Sequence, residues 1–137
     1  MSYKGYYTIK NLQKYKGNPT NVVYRSLWER KFMNFCDNNS NVIEWSSEEI
    51  VIPYISPIDN KIHRYFVDFW VKLINKNKII EEYLIEIKPM SKCIAPKNKK
   101  YINEWKINKA KWKSASNYAK EKNIKFKILT ETHLNIN

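Results

Sequence analysis

Two acids and a lysine sit in this chain where apolar neighbours should exclude them. The stretch Tyr83-Leu84-Ile85-Glu86-Ile87-Lys88-Pro89 has the residues of a buried strand, yet it carries Glu86 and Lys88 two positions apart. A second apolar run, Arg64-Tyr65-Phe66-Val67-Asp68-Phe69-Trp70-Val71, is interrupted by Asp68. Buried charges need a partner or a task. Side chains alternate along a strand, so Arg64, Phe66, Asp68, Trp70 and Lys72 are expected on one face, and Leu84, Glu86 and Lys88 on one face of the next strand. A hairpin through 75–79 that pairs Ile74 with Ile80 sets Asp68 directly opposite Glu86, with Cβ atoms about 5 Å apart. Two carboxylates so close repel unless a proton or cation joins them. Oxygen donors without a thiol or imidazole cluster favour Mg²⁺, with Mn²⁺ as substitute, over zinc. Such an ion can polarise a phosphoryl oxygen and activate water, and Lys88 can orient that water or offset charge on the phosphate. The chemistry implied is metal-dependent phosphodiester hydrolysis.

The acid-x-Lys spacing alone discriminates little, because Glu29-Arg30-Lys31, Asp59-Asn60-Lys61 and Glu104-Trp105-Lys106 share it. Only the triplet at Glu86 lies in an apolar strand with an acid placed opposite. The competing reading is a structural ion pair of Asp68 or Glu86 with Lys88 or Arg64.

The elements that must hold these residues can be read from periodicity. Tyr24, Trp28, Phe32 and Phe35 recur at helical spacing, predicting an amphipathic helix from Tyr24 to the polar run Asp37-Asn38-Asn39-Ser40. Glu29 falls on its flank and can supply a further metal ligand, directly or through water. Val42-Ile43-Glu44-Trp45 and Ile50-Val51-Ile52-Pro53-Tyr54 read as strands, followed by longer ones over 63–74 and 80–88 joined by a hairpin. Beyond Pro96, the positions Tyr101, Trp105, Trp112, Ala115 and Ala119 predict a second helix, and Lys125-Phe126-Lys127-Ile128-Leu129 a last strand. The order is αββββαβ. The first 23 residues, with Lys4, Lys10, Lys14 and Lys16, form a basic arm that can fold on DNA or on a partner protein, and 24–137 form one domain.

With 25 basic against 13 acidic residues, the formal charge of +12 makes a polyanion the natural partner. Abundant Lys, Asn, Ile and Tyr also fit AT-rich coding sequence, which would make some lysines compositional. Lys106, Lys109, Lys113 and Lys120 fall within an arc of about 60° on the second helix, either a DNA-binding stripe or a solvated face. Asn108 interrupts that helix's apolar stripe and faces either the metal site or a helix end. His63, at the start of the Asp68 strand, is a candidate accessory acid or base. Trp45, Trp105 and Trp112 read as core rather than as base-stacking platforms. Cys36 and Cys93 make no disulfide framework or zinc spacing. No apolar stretch approaches a membrane span and no secretion signal is evident, so a cytoplasmic protein is expected.

At these residues the chain resembles the PD-(D/E)xK nuclease superfamily. More narrowly, Tyr24-Arg25-Ser26-Leu27-Trp28-Glu29, Trp45-Ser46-Ser47-Glu48, Ile52-Pro53-Tyr54, Arg64-Tyr65-Phe66-Val67-Asp68-Phe69 and Ile85-Glu86-Ile87-Lys88-Pro89 resemble the head-completion nucleases of T-even-like bacteriophages. The end-cleaving subunits of heteromeric transposases are more distantly similar. The resemblance runs from about Tyr24 to Glu131, and several motifs in order weigh more than one triplet. It implies an α/β restriction-endonuclease-like core, a central mixed sheet flanked by helices, and Mg²⁺-dependent cleavage of double-stranded DNA. It also implies Asp68 and Glu86 as ligands, the Ile87 carbonyl as a backbone ligand, Lys88 as catalytic lysine and Glu29 as the helix acid. The proline that names the superfamily is Val67 here. The biology implied is processing or securing of a packaged DNA end during head completion, in the host cytoplasm or on the virion, beside portal or capsid proteins. Two alternatives stand beside it: a non-catalytic DNA-binding or capsid-assembly protein on the same fold, and a transposon-end, repair or junction nuclease.

Overall fold

The computed structural model of the protein describes residues 4–135; residues 1–3 of the expected arm and 136–137 of the expected domain lie outside them. Its first helix, α1 (Leu27–Asn38), starts where Ser26, in an extended conformation, accepts a hydrogen bond from the Glu29 N–H at 3.2 Å. The Ser26 hydroxyl in turn donates to Glu29 Oε2 at 3.3 Å. This reciprocal cap satisfies donors that a helix start leaves free. It also overrides the periodicity that predicted a start at Tyr24: Tyr24 belongs instead to a short strand, β2 (Val23–Tyr24), antiparallel to β1 (Gly5–Tyr6).

The central sheet contains β3 (Val42–Ser47), β6 (Phe69–Ile74), β7 (Ile80–Ile87) and β8 (Lys125–Leu129) in that spatial order. The first two pairings are antiparallel and the last is parallel, reached through the crossover helix α2 (Ile102–Glu121). A parallel neighbour requires such a long connection, whereas β6 and β7 need only a tight hairpin. Asn75 builds that hairpin by accepting from the N–H groups of Asn77 and Ile79 with its side chain. The register is Ile74 against Ile80 through Phe69 against Ile85, as expected.

One long strand over 63–74 does not form. The segment is split into β5 (Ile62–Phe66), paired only with β4 (Val51–Ile55) in a separate two-stranded ribbon, and β6 in the central sheet. At the break, the Val67 N–H bonds the Ile50 carbonyl and the Asp68 carbonyl accepts from the Glu48 N–H. The split moves the chain between two cores. Tyr65 and Val67 pack with Leu84 and with Ala115 and Ala119 of α2, whereas Phe69 and Val71 pack on the opposite side with Trp45, Phe32 and Met33. Arg64 and Phe66 therefore lie on the exposed face of the ribbon and do not share a face with Asp68.

Residues 4–23 pack against the rest of the chain. Ile9, Tyr15 and Val22 are buried in the α1-side core, and the Tyr15 ring meets Trp45 edge-on at 4.9 Å. The segment is clamped to the end of α1 by Asp37, which is 0% exposed. Its carboxylate accepts from Tyr7 Oη and the Lys10 N–H at 2.8 Å and from the Asn11 N–H at 2.9 Å. No helix among the described residues is long and apolar enough to cross a membrane.

Candidate active site

Asp68 lies in the two-residue step, 67–68, between ribbon and central sheet. Continuing the β6–β7 register by one residue opposes it to Glu86, and its Oδ2 accepts the Ile87 N–H at 2.8 Å. A side chain thus takes the place of a ladder carbonyl and is fixed in orientation. Glu86, 5% exposed, accepts from the Tyr65 hydroxyl at 2.8 Å with Oε1. Its Oε2 lies 3.7 Å from Lys88 Nζ. The Lys88 N–H donates to the Leu129 carbonyl at 2.9 Å, which carries the parallel pairing one residue past β7 and holds the lysine's backbone. Glu29 is partly buried at the start of α1, its Oε1 accepting from the Arg25 N–H at 3.3 Å.

The electrostatics of this cluster are those of acid brought together without enough base. Burial raises the Asp68 carboxyl well above its ordinary range, and the negative charges of Glu86 and Glu29 raise it further; the Ile87 N–H and Lys88 offset only part. Burial likewise raises Glu29, helped by Glu48 and opposed by the Arg25 N–H and the Ser26 hydroxyl. Tyr65 is pushed up by burial and by Glu86, so it stays a hydrogen-bond donor. Among the described residues, no three His, Cys, Asp or Glu side chains close into a metal cage. What the site offers is Asp68 at the strand break opposite Glu86 of β7, with the charge of Glu29 acting on Asp68 from the start of α1. An all-oxygen donor set in need of positive charge fits a hard divalent cation that keeps part of its water shell.

The other sequence-predicted residues fall elsewhere. His63 pairs with Asp59, Nε2 to Oδ2 2.8 Å, on the exposed ribbon hairpin and is not joined to the carboxylates. Asn108 is neither at a helix end nor bonded to the acids; it is buried in mid-α2 against a cavity behind residues 91–101. Lys106, Lys109, Lys113 and Lys120 are exposed along α2. Trp45 is core, whereas Trp105 and Trp112 are only half-buried. Sequence reasoning assigned no site role to Tyr65, Arg25 or Glu48. A buried tyrosine three residues ahead of Asp68 needs an acceptor, which was the available signal for Tyr65. Arg25 holds Glu48 through Nε and Nη2, Nη2 lying 3.1 Å from Oε1, and Glu48 sits at φ 55; nothing local in the sequence announces that contact.

Helix, antiparallel strands, crossover helix and parallel strand, with an acid facing Glu-x-Lys on the neighbouring strand, is the arrangement of PD-(D/E)xK nucleases, and the chain falls in that class. Residues 39–131 match the model of the TnsA-like endonuclease N-terminal family, and the chain belongs to it. It is also 39% identical to the head completion nuclease of Enterobacteria phage T4, over 146 aligned residues that cover 98% of this chain and 95% of the relative. Asp68, Glu86 and Lys88 lie within the family match; Glu29 lies ahead of it.

Proposed function

We propose that the protein is a Mg²⁺-dependent endodeoxyribonuclease that cuts double-stranded DNA during phage head completion. The observation that carries the reading is the meeting of Asp68 and Glu86 at the strand break, with the Asp68 carboxyl held well above its ordinary range by burial and by Glu86 and Glu29. Asp68 and Glu86 would hold the ion, with the Ile87 carbonyl as a backbone ligand and Glu29 acting directly or through water. A bound divalent ion supplies Lewis-acid polarisation of the phosphate and a water of lowered pKa. The chain's own residues do the rest. Tyr65 and the Ile87 N–H fix the two carboxylates, so little reorganisation is needed on binding. Lys88, anchored beside Glu86, presents its ammonium to the phosphoryl oxygens or to the attacking water, where charge develops in the transition state. Near end-to-end similarity to a head completion nuclease supports the biological setting; the protein would act there in the host cytoplasm or on the virion, with portal or capsid proteins as its partners. His63 takes no part in this reading.

The test is cleavage of supercoiled and linear duplex DNA by the purified chain with Mg²⁺, with Mn²⁺ and in EDTA. Cutting should require the ion. Lys88→Ala and Asp68→Ala should each lower the rate at least about 100-fold, with far-UV circular dichroism unchanged. Equal cutting by wild type and both variants would defeat the reading, and salt-sensitive binding without cutting would favour a non-catalytic DNA-binding protein.

A further inference from the structure

The segment leaving Lys88 builds a second feature that phosphodiester hydrolysis does not use. After Pro89 the chain makes a 3-10 turn, Met90–Lys92, whose Met90 N–H is tied to Glu131 at 2.8 Å. The Cys93 thiol closes the turn by donating to the Pro89 carbonyl at 3.5 Å. The chain then runs against α2 and borders a half-open cavity of about 160 Å³. Ile94 and Pro96 supply apolar wall, and Tyr101 and Trp105 supply aromatic rings. Asn108, 5% exposed, lines the cavity with its carboxamide side chain.

The rim is cationic. Lys92 and Lys100 lie over the Tyr101 ring at 4.8 and 5.6 Å, and Lys109 lies over the Trp105 ring at 4.4 Å. The acid at the rim, Glu104, is matched by Lys92 at 3.6 Å, which leaves Lys100 and Lys109 in excess. Aromatic walls, a hydrogen-bonding amide within and phosphate-seeking lysines at the mouth are together what an unstacked nucleobase on its strand requires.

We propose that the cavity between residues 91–101 and α2 receives one unpaired nucleobase of the DNA, stacked against Tyr101 or Trp105, with the Asn108 carboxamide bonding its edge and Lys100 and Lys109 taking the flanking phosphates. The preferred substrate is then a duplex carrying an unpaired nucleotide, such as an overhang or a bulge, rather than a continuous duplex. The assignment rests on the nuclease reading only for its biological sense, and its test is a binding measurement independent of cutting.

The full-length chain is titrated in EDTA with two dye-labelled duplexes of equal length, one fully paired and one with a single unpaired 2-aminopurine in a short overhang. Affinity for the second should be roughly tenfold higher, the scale of one aromatic–base stack, and 2-aminopurine emission should fall on binding. An abasic residue at the same position should restore parity. Tyr101→Ala, at a residue 41% exposed and so tolerant of truncation, should abolish most of the preference, and Asn108→Leu should reduce it; thermal melting checks that both fold. Equal affinity for the two duplexes, or a preference that survives both substitutions, would overturn the site. Displacement of the probe by micromolar free deoxynucleoside monophosphate would also overturn it, by indicating a pocket for small nucleotides. Failure to cut any DNA while the preference persists would count against the nuclease reading alone.

Discussion

Replacing Asp68 by asparagine should make the metal-free protein more stable while abolishing cleavage. Asp68 continues the β6–β7 register opposite Glu86, and directly opposed side chains have Cβ atoms about 5 Å apart. Two unit charges about 6 Å apart at an effective dielectric constant near 20 repel by about 3 kcal/mol. Lys88, 3.7 Å from Glu86 Oε2, cancels part of this, leaving about 1–2 kcal/mol for Asp68→Asn to recover. The amide oxygen can still accept the Ile87 N–H that Oδ2 now takes, so the strand break should persist. Urea unfolding in EDTA near pH 7.5 reads the gain directly, as does a melting temperature higher by several degrees. The pH dependence has a definite sign. Because the folded Asp68 carboxyl is raised above its unfolded value of about 3.9, its contribution to stability is fully present below that value and is lost as pH rises through the folded pKa. The stability of wild type should therefore fall over that interval, and Asp68→Asn should flatten the curve. Saturating Mg²⁺ should reverse the order, because an ion at 100 times its Kd adds about 2.7 kcal/mol to wild type and little to the variant. Should Asp68→Asn instead lose about 2 kcal/mol or more without metal, Asp68 is the structural partner of Lys88 and the catalytic assignment fails.

Tyr65→Phe removes the donor to Glu86 Oε1 and should weaken metal affinity about 10–100-fold, with a stability cost of about 1–2 kcal/mol; titration calorimetry with Mn²⁺ separates this from a merely structural role. Asp37→Asn should cost about 2–4 kcal/mol, since a buried carboxylate receiving three donors is converted to an amide that can serve fewer of them. Limited proteolysis should then cut within residues 4–23. Burial raises the Asp37 carboxyl, but the Lys10 and Asn11 N–H groups and Tyr7 outweigh it and hold it below its ordinary value, so this stability is present above pH 4 and is lost as pH falls through the folded pKa. Changing Lys106, Lys109, Lys113 and Lys120 to glutamine should reduce the salt slope of DNA binding by about 0.9 for each phosphate that is no longer neutralised, and an unchanged slope would make that stripe a solvated face.

Much of the centre was legible because its determinants are local. Asn75 and the short polar turn fix the hairpin register, and strand alternation then opposes Asp68 to Glu86. The sequence Ser26-Leu27-Trp28-Glu29 is a capping box, so the start of α1 was written in the chain even though the apolar period runs back to Tyr24. The packing of residues 4–23 was not legible, because their lysines dominate the composition while Ile9, Tyr15 and Val22 enter the core without any regular period. Asp37 looked like the polar end of a helix; only the folded chain brings Tyr7, Lys10 and Asn11 to it. Asn108 was visible as an interruption of an apolar stripe, but the cavity it lines depends on the course of the irregular segment 89–101.

The break at Val67–Asp68 was hidden for a reason that bears on function. Odd-numbered residues stay buried from Tyr65 to Val71, so an alternation pattern runs through the break unchanged, although Tyr65 and Val67 face α2 while Phe69 and Val71 face α1. A continuous strand would have spent the Asp68 position on one more ladder pair. Splitting it lets the side chain of Asp68 take the Ile87 N–H through Oδ2, opposite Glu86 in the continued register. The same split puts Tyr65 on the ribbon, where its hydroxyl can reach Glu86 from outside the central sheet. The departure from regular pairing is thus the device that aims both acids at one point, and it is where local pattern and tertiary demand are expected to disagree.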